Sequence, residues 1–270
     1  LPAVASSSRQ AQSALSGARH VMISLQHLTK TYDASASGDH ALRDVSLDIP
    51  DGDVFGVIGI SGAGKSTLVR CINLLERPTS GRIVVDGSDV TELEGAELRR
   101  YRRRMAMIFQ DFGLLAQKTA LENVCFPFKA STGRVTADNR RRALELLDQV
   151  GLADKASSWP AQLSGGQQQR VAIARALACE PEYILCDEAT SALDPASTAS
   201  VLSLLTRINA ETGVTIVIIT HSMDVVRQVC KSVAVLSHGK LVERGSVDEV
   251  FSNPQNETTK ALLGRVSWND

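Results

Sequence analysis

The residues best suited to chemistry lie in one glycine-rich stretch, residues 59–66, which reads Gly-Ile-Ser-Gly-Ala-Gly-Lys-Ser. Its glycines let the backbone approach a phosphate chain, and the N–H groups of the loop then face the anionic oxygens. The spacing places Lys65 within reach of a β- and a γ-phosphate, and it places the Ser66 hydroxyl where it can hold Mg²⁺. We therefore predict a nucleoside triphosphate site with these contacts: Gly59, Ser61, Gly62, Ala63, Gly64, Lys65, Ser66 and Thr67.

The segments on either side of this loop must hold it in place. The apolar run 54–58 precedes the loop and is typical of a buried strand. After the loop, apolar residues recur at helical spacing as far as Pro78, namely Leu68, Val69, Ile72 and Leu75. A strand, a glycine loop and a helix in this order favour a phosphate-binding loop over a simple turn with a surface lysine.

A pair of carboxylates follows a second apolar strand, residues 183–186. Asp187 is suited to help hold Mg²⁺, and Glu188 is suited to act as the base that polarises the attacking water. Adjacent side chains on a strand point to opposite faces, so both acids can serve one site only if the strand ends here and the chain turns. The alternative is an acidic strand end that caps the next helix, and the presence of Lys65 favours the catalytic interpretation.

A second glycine motif, residues 163–167, reads Leu-Ser-Gly-Gly-Gln and opens a helical stretch. The start of a helix is an anion-binding position, because its free N–H groups and its dipole both favour negative charge. Since the loop at 59–66 already accounts for the phosphates of one nucleotide, this second anion site has no evident use within the same chain.

These motifs resemble those of the ABC ATPase family over residues 22–251. Residues 163–167 match the family signature, and four single residues match in family order: Tyr32 as the aromatic that stacks on adenine, Gln110 as the Q-loop glutamine, Asp194 as the D-loop aspartate and His221 as the switch histidine. Each of the four alone has an ordinary interpretation, such as a strand-end aromatic, a loop glutamine or a histidine at a helix start. Their common order along the chain carries the resemblance.

The resemblance implies an enzyme that hydrolyses ATP with Mg²⁺. Glu188, His221 and Gln110 would be catalytic, and Gln110 would also join Ser66 and Asp187 around the metal. The signature would contact the γ-phosphate held by a second copy of the chain, so that two copies enclose two ATP molecules head to tail. The further nucleotide contacts implied in this way are Tyr32, Ser164, Gly165, Gly166, Gln167 and Asp194.

The family also implies partners and a location. Such an ATPase docks on an integral-membrane permease at the cytoplasmic face of the cell membrane, and an extracytoplasmic binding protein takes part indirectly. Within the family, the stretches 59–79, 185–195 and 219–226 resemble the methionine importer ATPases. Ala189 stands where polar amino-acid importers usually carry proline, whereas Ser222 departs from a glutamate that is common in both groups.

The end of the chain and the transport direction leave alternatives open. Methionine importer ATPases commonly carry a C-terminal regulatory domain, and we expect it to be missing or removed because the chain stops at Asp270. The alternatives to methionine import are the ATPase of another amino-acid importer, the ATPase of an export or lipoprotein-release system, and a nucleotide-gated regulator of the cell-division type.

Composition excludes several other classes of protein. Basic residues number 29 and acidic residues 30, so the overall charge does not indicate a nucleic-acid partner. The longest apolar run, residues 214–220, is far shorter than the ~20 residues that span a bilayer and indicates a buried parallel strand. The five cysteines are scattered without the spacing of a zinc site, which favours reduced thiols.

The order of the predicted elements indicates an α/β fold, namely a P-loop NTPase core with a mostly parallel sheet, an N-terminal antiparallel β part and an inserted helical subdomain. We expect a disordered extension or cloning remnant at 1–21, the ATPase domain at 22–250 with its helical subdomain at about 111–166, and a tail at 251–270. The arginine-rich run 99–104 fits a solvated helix face better than an anion-binding patch.

Four shorter elements are also predicted. Alternating polarity indicates strands at 41–49 and 82–86. A helix is expected at 140–150, because its apolar residues share one face and Gly151 follows. A capping box at 246–249 predicts the start of another helix.

Overall fold

The computed structural model describes residues 21–32 and 40–265. The predicted extension at 1–21 therefore lies outside the described residues, apart from Val21. The helices and strands are, in chain order, β1 (Val21–Thr31), β2 (His40–Pro50), β3 (Val54–Ile58), α1 (Lys65–Ile72), β4 (Ser80–Val85), β5 (Ser88–Asp89), α2 (Gly95–Arg104), β6 (Met105–Ile108), α3 (Ala120–Thr132), α4 (Ala137–Gln149), α5 (Gly165–Leu177), β7 (Tyr183–Asp187), α6 (Pro195–Thr212), β8 (Thr215–Ile219), α7 (Met223–Val229), β9 (Ser232–Ser237), β10 (Lys240–Ser246), α8 (Val247–Ser252) and α9 (Glu257–Leu262).

The central sheet follows the order β10-β9-β3-β8-β7-β6. Its pairs are parallel except for β9 with β10. Alternate residues of β8 enter two different cores. Ile216 and Ile218 pack in the core that includes α3 to α6, whereas Val217 and Ile219 pack with α1 and the N-terminal strands. Because both faces are covered, the inner strands are apolar throughout, as the runs at 54–58 and 214–220 indicated.

A smaller antiparallel sheet covers one face of this core, in the order β2-β1-β4-β5. Both strands predicted here are present, β2 extending a residue beyond 41–49 at each end and β4 stopping at Val85. The chain turns at Asp86 and Gly87, whose φ angles of 53° and 77° lie in the left-handed region. The two sheets together confirm the predicted α/β fold with its antiparallel N-terminal part.

The inserted helical part begins later than expected. Residues 111–119 contain turns, and helices occupy the stretch only from Ala120 onward. α3 and α4 each begin with a capping box, in which Thr119 and Thr136 accept a hydrogen bond from the backbone three residues ahead. The helix predicted at 140–150 is α4, which begins three residues earlier and ends at Gln149.

Two other elements differ from expectation. α1 ends at Ile72, well before Pro78, because Leu74 has a φ of 54° that cannot continue a helix, and Leu75 is exposed. In the arginine run, α2 is present, yet Arg102 and Arg104 do more than face solvent. Arg102 donates to the Leu74 carbonyl at 2.6 Å, and Arg104 forms an ion pair with Glu182 at 2.8 Å.

The C-terminal part continues the fold beyond the predicted domain end. The capping box at Ser246 starts α8, as expected. Residues 257–262 form α9 within the segment predicted as a tail, and Arg265 ties its end to the Phe251 carbonyl at 2.8 Å. None of the helices in residues 21–32 and 40–265 has both the length and the apolarity to cross a membrane.

Candidate active site

The glycine loop lies between the end of β3 and the start of α1. Gly64 caps α1 with a φ of 98°, and a Cβ atom there would lie 2.3 Å from the Ala41 carbonyl oxygen. Gly59 is equally restricted, because its Cβ would lie 2.3 Å from the Leu236 carbonyl. These two positions therefore require glycine, and the first N–H groups of α1 have no acceptor within the helix.

Lys65 is folded back over this loop. Its ammonium group donates to the carbonyls of Gly59 and Ile60, both at 2.9 Å, and only 6% of the residue is exposed. Burial lowers the pKa of Lys65, while the carboxylates of Asp187 and Glu188 act in the opposite direction. A cation held this close to the loop backbone is well placed for the β- and γ-phosphates.

The predicted metal ligands are already in contact. The Ser66 hydroxyl donates to Oδ1 of Asp187 at 2.8 Å, although the two residues lie far apart in the sequence. A hydroxyl beside a largely buried carboxylate is a pair of hard oxygen ligands, and Mg²⁺ prefers such ligands while keeping several waters. The residues present therefore fit Mg²⁺.

The chain turns after Asp187, as the adjacent carboxylates require. β7 ends at Asp187, and Glu188 has a φ of 51° with its N–H bonded to the Ile219 carbonyl at 3.1 Å. This backbone geometry brings both acids to one edge of the sheet. His221 follows β8 at the same edge, and its Nδ1 lies 3.4 Å from Oε2 of Glu188. The Glu188 side chain is mostly buried, and the His221 side chain is mostly exposed.

An open cleft of about 360 Å³ joins several of the predicted residues. Tyr32 stands at its edge, 58% exposed, and its hydroxyl lies 3.2 Å from the Thr67 hydroxyl. Lys30 holds its ammonium 5.2 Å from the centre of the Tyr32 ring, within the range of a cation–π contact. The cleft is lined by Tyr32, Ser61, Gly62, Ala63, Gly64, Lys65, Ser66, Thr67 and Glu188, together with His40, Ala41, Arg43 and His238.

The last four lining residues were not predicted from the sequence. His40, Ala41 and Arg43 belong to β2, and His238 lies in the turn between β9 and β10. Gly239 of that turn accepts a hydrogen bond from the Arg43 N–H at 2.7 Å, which fixes the turn beside the loop. No motif marks these positions, because only the pairing of distant strands brings them to the nucleotide cleft.

The signature residues lie outside this cleft. Ser164 caps α5 and forms a capping box with Gln167, whose N–H donates to the Ser164 hydroxyl at 3.3 Å. A Cβ atom at Gly166 would lie 2.7 Å from the Ser197 hydroxyl, so glycine permits the close packing of α5 on α6. Ser164 is exposed, and neither it nor Gly165, Gly166 or Gln167 lines the cleft of its own chain.

Gln110 and Asp194 likewise do not line the cleft. Gln110 is exposed just beyond β6. Asp194 caps α6 and accepts hydrogen bonds at 3.0 Å from the N–H groups of Ala196 and Ser197. These bonds, those from Ser197 first, lower the pKa of Asp194. The structure thus gives Asp194 a helix-capping contact, and its contact with a nucleotide stays a prediction.

A parallel sheet, a glycine loop before a helix, a buried lysine and a hydroxyl–carboxylate pair together define a P-loop nucleotide-binding protein. Residues 42–191 match the family described as ABC transporter. Methionine import ATP-binding protein MetN 1 of Yersinia pestis is 56% identical over 243 residues, which cover 90% of this chain and 70% of that protein. The chain therefore belongs to the ABC transporter family, as one of its ATP-binding proteins, which hydrolyse ATP to drive transport.

Solved structures agree with this assignment. The ATP-binding cassette MJ0796, described as a dimer in a post-hydrolysis state bound to ADP and Pi, superposes with a TM-score of 0.76 at 39% identity, over 84% of this chain and 99% of that one. CbiO1 from Clostridium perfringens, part of the ABC transporter complex cbiONQ, gives 0.78 at 30% identity, over 90% and 95%. The resemblance to ABC ATPases is confirmed.

Proposed function

We propose that this chain is the ATP-hydrolysing subunit of a methionine importer. The observation that carries the hydrolytic part is the assembly of Lys65, the Ser66–Asp187 pair and Glu188 at one edge of the sheet. The cargo is supported by the relatives, since the protein of Yersinia pestis that is 56% identical over 243 residues is a methionine import ATP-binding protein.

In the proposed reaction, the loop at 59–66 binds the triphosphate and Tyr32 stacks on the adenine. Lys65 turns its donors from the carbonyls of Gly59 and Ile60 to the phosphate oxygens. Ser66, Asp187 and Gln110 would hold Mg²⁺, which when bound would supply positive charge against the phosphates. Preorganised donors of this kind lower the barrier because they need not reorganise as charge moves.

Glu188 is proposed as the base that orients the attacking water. Its carboxylate belongs to the cleft lining together with the loop, and it can accept the proton of a water aligned with the γ-phosphate. His221, 3.4 Å away, can hold a γ-phosphate oxygen while its other contact keeps it beside Glu188. Both groups therefore act on the same phosphorus from one edge of the sheet.

The signature is proposed to act on a second copy of the chain. Ser164 is exposed at the start of α5 and does not line its own cleft, which leaves this helix start available to the γ-phosphate of another molecule. A two-fold, self-complementary contact then completes both sites at once. The description of MJ0796 as a dimer supports this arrangement.

The permease is proposed to dock on the inserted helices. A groove of about 610 Å³ lies there, with Leu144 and Trp159 40% and 45% exposed at its sides and with Arg140 and Glu122 beside them. Apolar side chains flanked by both charges suit a cytoplasmic segment of an integral-membrane partner. CbiO1, as part of a transporter complex, supports such a partner. The chain would then lie at the cytoplasmic face of the membrane, and a binding protein outside would deliver the cargo.

Transport by the reconstituted complex tests this function. The full chain and the permease encoded beside it would be placed in liposomes, with ATP on the side of this chain, and uptake of labelled methionine would be measured. We expect uptake that requires ATP, and none with Glu188→Gln, which keeps the site's shape but removes the base. ATP-driven movement of another amino acid or of a lipoprotein, without methionine uptake, would show that the cargo assignment is wrong.

A further inference from the structure

We propose that Arg175 is a positioning residue that couples the signature helix to the loop following Gln110, so that the two move as one body. The inference deepens the proposed function and rests on it. Gln110 is assigned to the metal in its own cleft, whereas Ser164 is assigned to the nucleotide of the partner copy. With a rigid link between them, closure of one composite site would shift the groups of the other composite site.

The link is formed by two hydrogen bonds from one guanidinium. Nη1 of Arg175 donates to the Gly113 carbonyl at 2.6 Å, and Nη2 donates to the Phe112 carbonyl at 3.1 Å. Phe112 and Gly113 have φ angles of 62° and 56°, two consecutive left-handed residues. This tight turn places both carbonyl oxygens where the planar guanidinium of Arg175 can donate to them as a pair.

The same loop also touches the other end of α5. The ring of Phe112 reaches to 3.6 Å from the position that a Cβ of Gly165 would occupy, beside the signature serine. Arg175 lies roughly 16 Å further along the helix, at 1.5 Å per residue from Ser164. The loop therefore contacts α5 near both of its ends, by a side chain at the signature and by its backbone at Arg175. Two separated contacts fix an orientation as well as a position.

The chemistry of the contact indicates that Arg175 orients the turn more than it stabilises the fold. Burial lowers the pKa of Arg175, and no acidic side chain in residues 21–32 and 40–265 forms an ion pair with it. Removing a cation from water without a counter-charge is costly, so an apolar side chain would pack here at lower cost. An arginine at this place supplies what an apolar residue lacks, namely directed hydrogen bonds to a turn.

Gln110 lies two residues before Phe112 and two residues beyond the end of β6. A rotation of α5 that presents Ser164 to a partner would therefore pull the turn and shift the Gln110 side chain relative to the chain's own cleft. Conversely, binding of Gln110 to the metal would draw α5 toward its position in the closed dimer. The contact gives the two half-sites on one chain a direct mechanical connection.

The test compares Arg175→Lys and Arg175→Met with Arg170→Lys and Arg170→Met in the full chain. Arg170 is the matched control, because it lies on the same helix and donates to a carbonyl, that of Val150 at 3.5 Å, away from the loop. We expect kcat for ATP to fall about tenfold to a hundredfold in Arg175→Met, as small misplacements of reacting groups do. KM should change little. The kcat of Arg175→Lys should lie between those of Arg175→Met and the unaltered chain, because one ammonium replaces the two separate N–H groups of the guanidinium.

A second readout reports on coupling without hydrolysis. In a Glu188→Gln background, sedimentation measures how much ATP is required to join two copies. Arg175→Met should raise that concentration at least about tenfold, while the affinity of the monomer for ATP stays unchanged. Phe112→Ala should act through the same turn, so its effect and that of Arg175→Met should be less than additive.

The outcomes separate the inference from the function beneath it. If the Arg175 variants match the Arg170 variants in kcat and in dimerisation, or if only KM changes, the positioning role is wrong while the proposed function stands. If the unaltered chain neither hydrolyses ATP nor, as Glu188→Gln, dimerises with it, the proposed function fails and this inference fails with it. Should Arg175→Met not fold, Arg175→Lys decides by the same comparison.

Discussion

The two regions of this chain that we propose to contact phosphate differ in how many of their side chains are already held in place. At the glycine loop, Lys65 donates hydrogen bonds to the backbone, Ser66 donates one to Asp187, and Glu188 lies beside His221. At the signature, Ser164 is exposed, and its hydroxyl has only the helix that it caps as a partner among the described residues. One region is assembled within a single chain, whereas the other presents groups outward.

This difference shows how a site can be divided between two molecules. In the proposed mechanism, strand pairing and hydrogen bonds set the positions of the triphosphate and metal groups before ATP arrives, and only the Lys65 ammonium has to turn. Ser164 is proposed to reach the nucleotide only when two copies close, and an exposed helix cap allows it to leave again. Glycines at a helix start would then have a fixed role at 59–66 and a movable role at 163–167.

The largest effect is expected from the assembled region. Lys65→Ala removes the buried ammonium that we propose binds the phosphates, and we expect ATP affinity to fall and hydrolysis to drop about a hundredfold to a thousandfold. Calorimetry with ATP and a phosphate-release assay measure the two effects. Lys260→Ala is the control, because that lysine pairs with Glu257 on α9, outside the cleft. Undiminished hydrolysis in Lys65→Ala would contradict the assignment of the loop.

The outward-facing region should respond differently. Ser164→Ala should reduce hydrolysis about tenfold to a hundredfold while leaving the ATP affinity of the monomer unchanged, because the lost hydroxyl belongs to the partner's site. Thr136→Ala is the matched control, since Thr136 is also the cap residue of a capping box. Both variants should lose about 1 kcal/mol of unfolding free energy. A loss of activity that is equal in the two variants would mean that Ser164 only caps α5.

Mixing two defective chains makes the comparison between the regions sharper. In a dimer of Lys65→Ala with Ser164→Arg, both defects fall on one composite site, and the other site has an intact loop and an intact signature. We therefore expect the mixture to hydrolyse ATP faster than either variant alone. If each chain worked by itself, the mixture would show only the average of the two variants.

The assembled region was also the easier one to predict from the sequence. The glycine loop, its strand and the start of its helix are contiguous, so the local pattern predicted them. The pairing of Ser66 with Asp187 followed from the two motifs together, although the distance between them in sequence gives no geometry. The turn at Glu188 was required by chemistry and is present as a left-handed residue.

Features that depend on distant packing were not predictable in this way. His40, Arg43 and His238 reach the cleft because β2 and the turn after β9 come together, and no periodicity records that contact. The early end of α1 depends on Leu74, whose left-handed backbone nothing in the apolar spacing indicates. The contact of Arg175 with the turn at Phe112 is of the same kind, because it joins two elements through backbone carbonyls that carry no sequence signal.

A smaller effect is expected at the edge of the cleft. Tyr32→Ala should weaken ATP binding by about 1–3 kcal/mol, the range for a base stacked on an aromatic side chain. Tyr32→Phe is the control, since it keeps the ring and removes only the hydroxyl near Thr67. Titration with ATP and with inorganic triphosphate separates the two contributions, because triphosphate has no base to stack. Equal losses for both ligands would mean that Tyr32 supports the loop and does not contact adenine.

The smallest effect is expected at Asp194, which could belong to either region. The Asp194 carboxylate caps α6, and its pKa is lowered. The ionised cap therefore adds to the free energy of unfolding at pH values above the usual pKa range of an aspartate. That contribution should be lost as the pH falls through the folded pKa, below about 3.9. Asp194→Ala should therefore unfold more easily than the unaltered chain at neutral pH, and thermal unfolding should show the difference shrinking in acid.

Asp194→Asn decides which region the residue serves. An asparagine side chain can still accept from the N–H groups of Ala196 and Ser197, so this variant should keep most of the stability and lose the dependence on pH. If Asp194 only caps α6, Asp194→Asn should also hydrolyse ATP at nearly the normal rate. If hydrolysis falls tenfold or more, about 1.4 kcal/mol in the barrier, while stability is kept, the carboxylate acts in the shared site. In that case Asp194 belongs with Ser164 among the groups that one chain supplies to the other.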